Sequence, residues 1–344
     1  MGVNLSDIVP VDVVQLEDLA GRTIAIDAYN AIYQFLSVIR QPDGTPLMDS
    51  RGRITSHLAG LLYRNTNLIE AGIHPSYVFD GLPPDMKRET ILERSEKRVK
   101  AKMEWEDALK KGEYEKAFSK ATRASRITND IVESSRILLT YMGIPVVQAP
   151  EEGEAQAAYM ALKGGVWAAS SQDFDSLLFG APRLVRNLTV TGKRKMPGRS
   201  DYRAVSIEIV ELSKVLSQLG LTREQLIDLC ILMGTDYNAG VSGIGPKKAL
   251  KLIREHGGID SALESIGGKI PKVEAVRSLF LEYEKTDEYL LDWKAPDRDR
   301  VIEFLCEGHD FSRSRVESAL GRIEERQKVE RIQTRSQSSL DVFG

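Results

Sequence analysis

The stretch RTIAID, residues 22–27, decides the fold class: a short apolar run that closes on an acid. Three more runs of the same kind follow, at Ser76–Asp80 (SYVFD), Ile144–Val147 and Val166–Ser170. Each is too short to be a core helix and reads as a buried strand. Helical patterns separate them, for example at His57–Ala71 and Thr128–Met142. Strands alternating with helices predict an α/β fold, a mainly parallel, twisted sheet between helices. In such sheets the functional site lies beyond the carboxyl ends of the strands. Three groups of acids fall there: Asp27 ends RTIAID, Asp80 ends SYVFD, and Asp173 and Asp175 follow VWAASS.

The 344 residues are 42% hydrophobic and 28% charged, enough apolar material for a substantial core. Two cysteines, Cys230 and Cys306, allow neither a disulfide framework nor a zinc cluster, and point to a reducing compartment. The N-terminus lacks a signal-peptide layout, and no apolar run reaches transmembrane length. The net charge of −3 conceals a basic segment: Arg183, Arg186, Lys193, Arg194, Lys195, Arg199 and Arg203 face a single acid, Asp201. Such a segment fits either nucleic-acid binding or a solvated face.

Between Gly81 and Asp130 the chain is rich in helix formers and charge but has no wide apolar stripe. A helix of that kind buries little of itself and is expected to project from the core. Residues 221–256 read as a helix (REQLIDLCILMG), a turn (GVSGIGPKK) and a second helix (ALKLIREH). The polar tail after about Glu330 is expected to be unstructured when free.

Seven acids are candidate ligands: Asp27, Asp80, Glu152, Glu154, Asp173, Asp175 and Asp236. Each alone fits a cap or a turn. Glu152 and Glu154 lie just after Pro150, where a helix begins and acids suit its dipole. Asp173 and Asp175, two apart, point the same way if the backbone there is strand-like. Asp236, in MGTDYNAG, closes an apolar helix. Converging carboxylates would repel each other and take up protons unless hard cations joined them. Mg²⁺, with Mn²⁺ as a substitute, suits a shallow bed of oxygen ligands, and two ions can serve a phosphodiester hydrolysis. Zinc does not fit, because His57, His74, His256 and His309 are scattered without ligand spacing.

Lys87 and Arg94 are seven residues apart, about two helical turns, soon after Asp80. They share a face that could overhang the acids and bind a phosphate, or simply form a solvated helix face. In the turn, Gly243 and Gly245 can offer amides to a phosphate, directly or through a monovalent cation such as K⁺. Lys247 and Lys248 begin the next helix, whose dipole favours anions. A plain helical hairpin is the alternative.

Taken in order, the motifs IDAYNAIYQFL, FDGLPPDMKRETILERSEKR, APEEGEAQAAYMA, SQDFDSLLFG, LMGTDYNAGVSGIGPKKA and QSSLDVF resemble those of the flap endonucleases of archaea and eukaryotes, over nearly the whole chain. The resemblance implies a PIN-like 5′ nuclease core. It implies one metal set of Asp27, Asp80, Glu152 and Glu154 and another of Asp173, Asp175 and Asp236. It makes Lys87 and Arg94 phosphate-contacting catalytic cations and Tyr33 a stacking residue beside the cut. It places Gly2, exposed if Met1 is removed, close to the site. Residues 1–330 would form one nuclease domain, with a helical arch at about 81–130 that admits a single-stranded 5′ flap and a duplex-gripping helix–turn–helix unit at about 221–256. The implied activity is structure-specific 5′-flap endonuclease with 5′–3′ exonuclease, leaving a 5′-phosphate and a 3′-hydroxyl, in Okazaki fragment maturation and repair.

Residues 331–344 would be a flexible clamp-binding tail, engaging a sliding clamp of the proliferating cell nuclear antigen type through Gln337, Leu340 and Phe343. Gly344 stands where a second aromatic is usual. The protein would be a monomer away from membranes, cytoplasmic and nucleoid-associated if archaeal, nuclear if eukaryotic. Competing readings are a related exonuclease, a PIN-type ribonuclease, and a non-catalytic DNA-junction or clamp adaptor. An aspartyl phosphatase is disfavoured, because Asp27-Ala-Tyr lacks a second Asp two residues on.

Overall fold

The computed structural model describes residues 2–190, 193–195 and 202–340. Nine strands run in chain order: β1 Asp12–Val14, β2 Thr23–Asp27, β3 His74–Phe79, β4 Val146–Gln148, β5 Ala168–Ser170, β6 Arg183–Arg186, β7 Lys193–Lys195, β8 Tyr202–Ala204 and β9 Ile207–Glu211. Seven form one sheet in the order β1-β9-β6-β5-β2-β3-β4, and β7 and β8 pair as a separate hairpin. The β6-β5-β2-β3-β4 block is parallel, with β9 and β1 added antiparallel. The predicted mainly parallel sheet is therefore present, with all four expected strands in its parallel block and β4 at the edge.

Among the described residues the α-helices are α1 Ala28–Val38, α2 Ser56–Glu70, α3 Arg88–Lys110, α4 Tyr114–Ala124, α5 Asn129–Tyr141, α6 Gly153–Leu162, α7 Asp175–Leu178, α8 Leu212–Leu219, α9 Arg223–Met233, α10 Pro246–His256, α11 Ile259–Ile266, α12 Val273–Leu281, α13 Arg298–Ile302 and α14 Arg313–Leu340. Side-chain alternation along the strands divides the core in two. Ile24 and Ile26 of β2, with Tyr77 and Phe79 of β3, pack against α1, α2, α5, α13 and α14. Ala25 and Val78, pointing the other way, pack against α6, α7 and the bundle α8–α12. Helices thus cover both faces, and one rim of the sheet, where the parallel strands end, is left to carry function.

The charged stretch after Gly81 forms an antiparallel pair, α3 against α4. The seam between them is alanine: Ala101 and Ala108 meet Ala117 and Ala121, all buried. Outside this alanine seam α3 is mostly exposed, as its lack of an apolar stripe predicts. Leu92, Val99 and Met103 remain exposed on α3.

At the other end, α14 starts in the core on Val316, Ala319, Leu320 and Ile323 and stays helical to Leu340. An unstructured tail was the expectation for residues 331–340. A helix already nucleated by packing propagates at little cost, which accounts for the difference. Among the described residues no helix is long and apolar enough to cross a membrane.

Candidate active site

Four adjacent parallel strands, β5-β2-β3-β4, bring six acids to one rim. Asp27 closes β2 and Asp80 follows β3. Glu152 and Glu154 open α6 after β4, and Asp173 and Asp175 lead from β5 into α7. Strands about 4.8 Å apart set the spacing of this row. Asp236 joins from the turn after α9.

The local roles differ from the expected caps and strand ends. Asp27 does cap α1, accepting from Asn30 N at 3.1 Å. Glu152 occupies the N-cap position of α6 but makes no capping bond. Its Oε2 instead accepts from Lys87 Nζ at 2.5 Å. Asp173 and Asp175 are not in strand geometry. They flank Phe174, the N-cap residue of α7, whose ring is buried and turns the chain into that helix. Asp175 Oδ1 accepts from Val3 N at 2.8 Å, which ties the chain's start into the site. A Cβ at Gly2 would lie 2.4 Å from Asp173 Cγ, so only glycine fits there. Asp80 Oδ1 accepts from Gly153 N at 2.8 Å. A Cβ on Gly153 would lie 2.7 Å from that same oxygen, which explains a glycine between two glutamates at a helix start.

Lys87 and Arg94 converge on the acids as their spacing predicts. Lys87 lies 3.6 Å from Asp236 Oδ2 as well as against Glu152. Arg94 donates to Asp236 Oδ1 at 2.5 Å, and Thr90 Oγ1, on the same helix, donates to the Asp236 carbonyl at 2.7 Å. Arg94 and then Lys87 outweigh burial and hold Asp236 below the usual carboxylate range. Glu152 and Asp236 in turn hold the Lys87 ammonium charged against its burial.

The remaining acids are under-neutralised. Burial, then the neighbouring Asp80, push Asp27 up to about 8. Burial and Glu152 push Asp80 to about 6, and burial and Asp173 push Asp175 to about 7. Asp173 is raised by burial and Asp236. Glu154 is raised well above its ordinary value by burial, then Asp175, Asp27 and Asp173. The strongest repulsion on Glu154 thus comes from across the implied division into two sets. Ser171 hydrogen-bonds the Glu154 carboxylate, yet Glu154 Oε1 is buried without a hydrogen-bond partner among the described residues. Among the described residues no three acidic, imidazole or thiol groups close on one point.

Other candidates lie further out. Tyr33, half-buried on α1, is close to Arg40, while Tyr29, one turn nearer, has its phenol in the field of Asp80 and Asp27. Gly243 (φ +77°) and Gly245 form an exposed turn before α10, and Lys248 Nζ donates back to Gly243 O at 3.1 Å. Lys247 is exposed beside it. These groups are joined to the rim by the short turn that begins at Asp236. In the basic segment, Arg186 is committed to Glu208 (2.6 Å) and to the Phe174 ring. Arg199, Asp201 and Phe343 lie outside the described residues. Gly153, Ser171, Thr90, Arg136 and Gln148 escaped the reading of the sequence. Only the glycine in EEGEA, a poor helix former at a helix start, carried a local signal.

Two family models match the chain, one described as the XPG N-terminal domain over residues 2–101 and one as the XPG I-region over residues 143–236. Flap endonuclease 1 of Pyrococcus horikoshii is 53% identical over 335 residues, 97% of this chain and 97% of that protein. Among solved structures, flap endonuclease-1 from Methanococcus jannaschii matches with a TM-score of 0.76 at 42% identity, covering 96% of this chain and 100% of that one. The catalytic core of Rad2 in complex with DNA substrate matches with a TM-score of 0.68 at 25% identity, covering 91% of this chain and 96% of that one.

Proposed function

The chain belongs to the flap endonuclease 1 family, and on that premise we propose that its seven clustered carboxylates hold two Mg²⁺ ions over which a flap phosphodiester is hydrolysed. The protein is a structure-specific nuclease that acts at 5′ flaps in DNA replication and repair. The observation that carries the metal reading is a buried acid set that the cations beside it do not neutralise. Five of the seven acids are held above their ordinary range, and Glu154 Oε1 has no hydrogen-bond partner among the described residues. An all-oxygen donor set without histidine or cysteine fits Mg²⁺, or Mn²⁺ in its place, rather than zinc.

Asp27, Asp80, Glu152 and Glu154 would hold one ion and Asp173, Asp175 and Asp236 the other. Bound there, the ions supply Lewis-acid polarisation of the phosphodiester and a water of lowered pKa. The chain's own groups do the rest. Asp27 and Asp80 are oriented by Asn30 N and Gly153 N, so their free oxygens are aimed before substrate arrives. Lys87 and Arg94, already within reach of the acids, take the scissile phosphate and offset the charge that develops on it. Tyr33 stacks on the nucleotide beside the cut, and the Gly243–Gly245 turn with Lys247 and Lys248 contacts duplex phosphates without reading bases. The α3–α4 pair admits the single strand. We further infer a sliding-clamp contact through Gln337, Leu340 and Phe343, and, from the archaeal source of the relative, a cytoplasmic, nucleoid-associated enzyme.

The test is a cleavage assay on 5′-flap DNA, 3′-flap DNA and single-stranded RNA, with Mg²⁺ and with chelator. Cutting of the 5′ flap that chelator abolishes is expected, and a preference for RNA would overturn the reading. Asp80→Ala and Asp173→Ala should each abolish cutting while flap binding persists. Normal cutting by either variant in Mg²⁺ would sink the ligand assignment.

A further inference from the structure

A further guanidinium, outside the acid cluster, is held against the strand end that carries Asp80. Arg136, half-buried on α5, lays its guanidinium over the Phe79 ring, 4.1 Å from the centroid, and donates to Gln148 Oε1. The Gln148 amide nitrogen donates in turn to three main-chain oxygens, those of Phe79 (3.3 Å), Asp80 (2.9 Å) and Ala149 (2.9 Å). The guanidinium is therefore fixed to the strand end that carries Asp80, one side-chain amide away from it. Tyr29 meets the other side of the arrangement, its ring edge-on to Phe79 at 6.2 Å.

Arg136 differs from a structural arginine in what it lacks. Arg186 has the same kind of ring stack, 4.2 Å from Phe174, but Glu208 neutralises it at 2.6 Å. Of the described carboxylates, Glu133, three residues earlier on the same helix, is the one whose charge acts on Arg136. It forms no ion pair with it within 4.0 Å among the described residues. A guanidinium whose plane is already set by a ring and an amide loses little freedom when it accepts an anion, and its fork suits a phosphate.

We propose that Arg136, oriented by Phe79 and Gln148, binds the phosphodiester next to the scissile one and so sets the register of the strand across the carboxylates. The proposal rests on the nuclease reading above and deepens it. Lys87 and Arg94 meet the carboxylates at Glu152 and Asp236, and Arg136 adds a separate phosphate contact at the strand end of Asp80.

The test measures binding of flap DNA with Ca²⁺ in place of Mg²⁺, so that the substrate stays intact. Arg136→Gln should weaken binding about tenfold and make the plot of log affinity against log salt shallower by ~0.9. Single neutral methylphosphonates are then placed at each phosphate flanking the cut. The wild-type chain should lose affinity at one flanking position, and Arg136→Gln should lose nothing further there. Arg136→Lys should keep the salt slope but broaden the distribution of cut sites in Mg²⁺. An unchanged salt slope in Arg136→Gln, with the wild-type penalty at every methylphosphonate position, would overturn the proposal and leave Arg136 as a cover for Phe79. If Arg136→Gln does not fold, the wild-type scan decides alone, and the absence of any sensitive flanking phosphate refutes the contact. The nuclease reading fails by a different result, no Mg²⁺-dependent cutting of the unmodified flap by the wild-type chain.

Discussion

Magnesium binding should expel protons, and the number follows from the site. At pH 7 a carboxyl pushed to about 8, as in Asp27, is roughly nine-tenths protonated; one at about 7, Asp175, is half protonated; one at about 6, Asp80, is about one-tenth protonated. Glu154, raised well above its ordinary value, adds to these. Metal ligands must be ionised, so loading the site at pH 7 should release about 1.5 protons from Asp27, Asp175 and Asp80, with Glu154 adding to the release. Isothermal titration of Mg²⁺ in two buffers of different ionisation enthalpy measures that number directly. Affinity should rise with pH by about the same power near pH 7 and level off above about pH 9.

Stability must follow the same linkage. These acids have folded-state pKa values above their unfolded ones. Their favourable contribution is therefore fully present below the ordinary carboxylate range and is lost as pH rises through about 6 to 8. For Asp80 alone, a rise of about two units corresponds to about 3 kcal/mol at 1.36 kcal/mol per unit. In chelator, Tm should fall between pH 5 and pH 8. With saturating Mg²⁺ the fall should disappear. Magnesium binding that releases no protons at pH 7 and has a pH-independent Kd from pH 5.5 to 8 would refute the picture of an under-neutralised acid bed.

Three further expectations rest on single contacts. Lys87→Ala should slow single-turnover cleavage by about 10²–10³-fold, as the loss of a preorganised transition-state partner does; an unchanged rate would make Lys87 a structural counter-ion of Glu152. Gly153→Ala puts a methyl 2.7 Å from Asp80 Oδ1, so Mg²⁺ affinity measured by titration should fall while the variant stays folded; an unaltered affinity would show that α6 can yield there. Asp228→Asn removes the charge that Arg277 (2.9 Å) and the amide of Ile259 (3.1 Å) share beneath α9. It should cost about 2–4 kcal/mol in denaturant unfolding, and a loss under 0.5 kcal/mol would remove Asp228 as the tie between α9, α11 and α12.

The chemistry of this chain was legible wherever it coincided with chain punctuation. The strands β2, β3 and β5 are buried almost throughout and read as unbroken apolar runs, so the acids that end or follow them stood out. Asp236 was visible because an apolar helix stops just before it. The strands β1, β6 and β9 were not seen. RLVR and IEIVE mix charge with apolar residues because these strands lie toward one side of the sheet, and three or four residues hold too little of a period to be read. The α3–α4 pair leaves most of its surface exposed, as its composition implies, and its alanine seam is the part that gives no hydrophobic signal.

By itself, the sequence determined the parallel sheet, the acids at its rim and the pairing of Lys87 with Arg94, because each depends on short-range periodicity or on a residue's position relative to its own element. The tertiary structure decided which of those acids feel each other. Glu154 is pressed by Asp175, Asp27 and Asp173 from two other strand ends, Asp236 is held charged by a helix that begins far away in the chain, and Gly153 exists to let Asp80 approach a backbone amide. It also decided that Arg136, an unremarkable helix residue in the sequence, lies against the strand end of Asp80. Electrostatic energy falls with distance in space, not with separation along the chain, so the protonation of the site and the cations around it exist only once the strands are side by side.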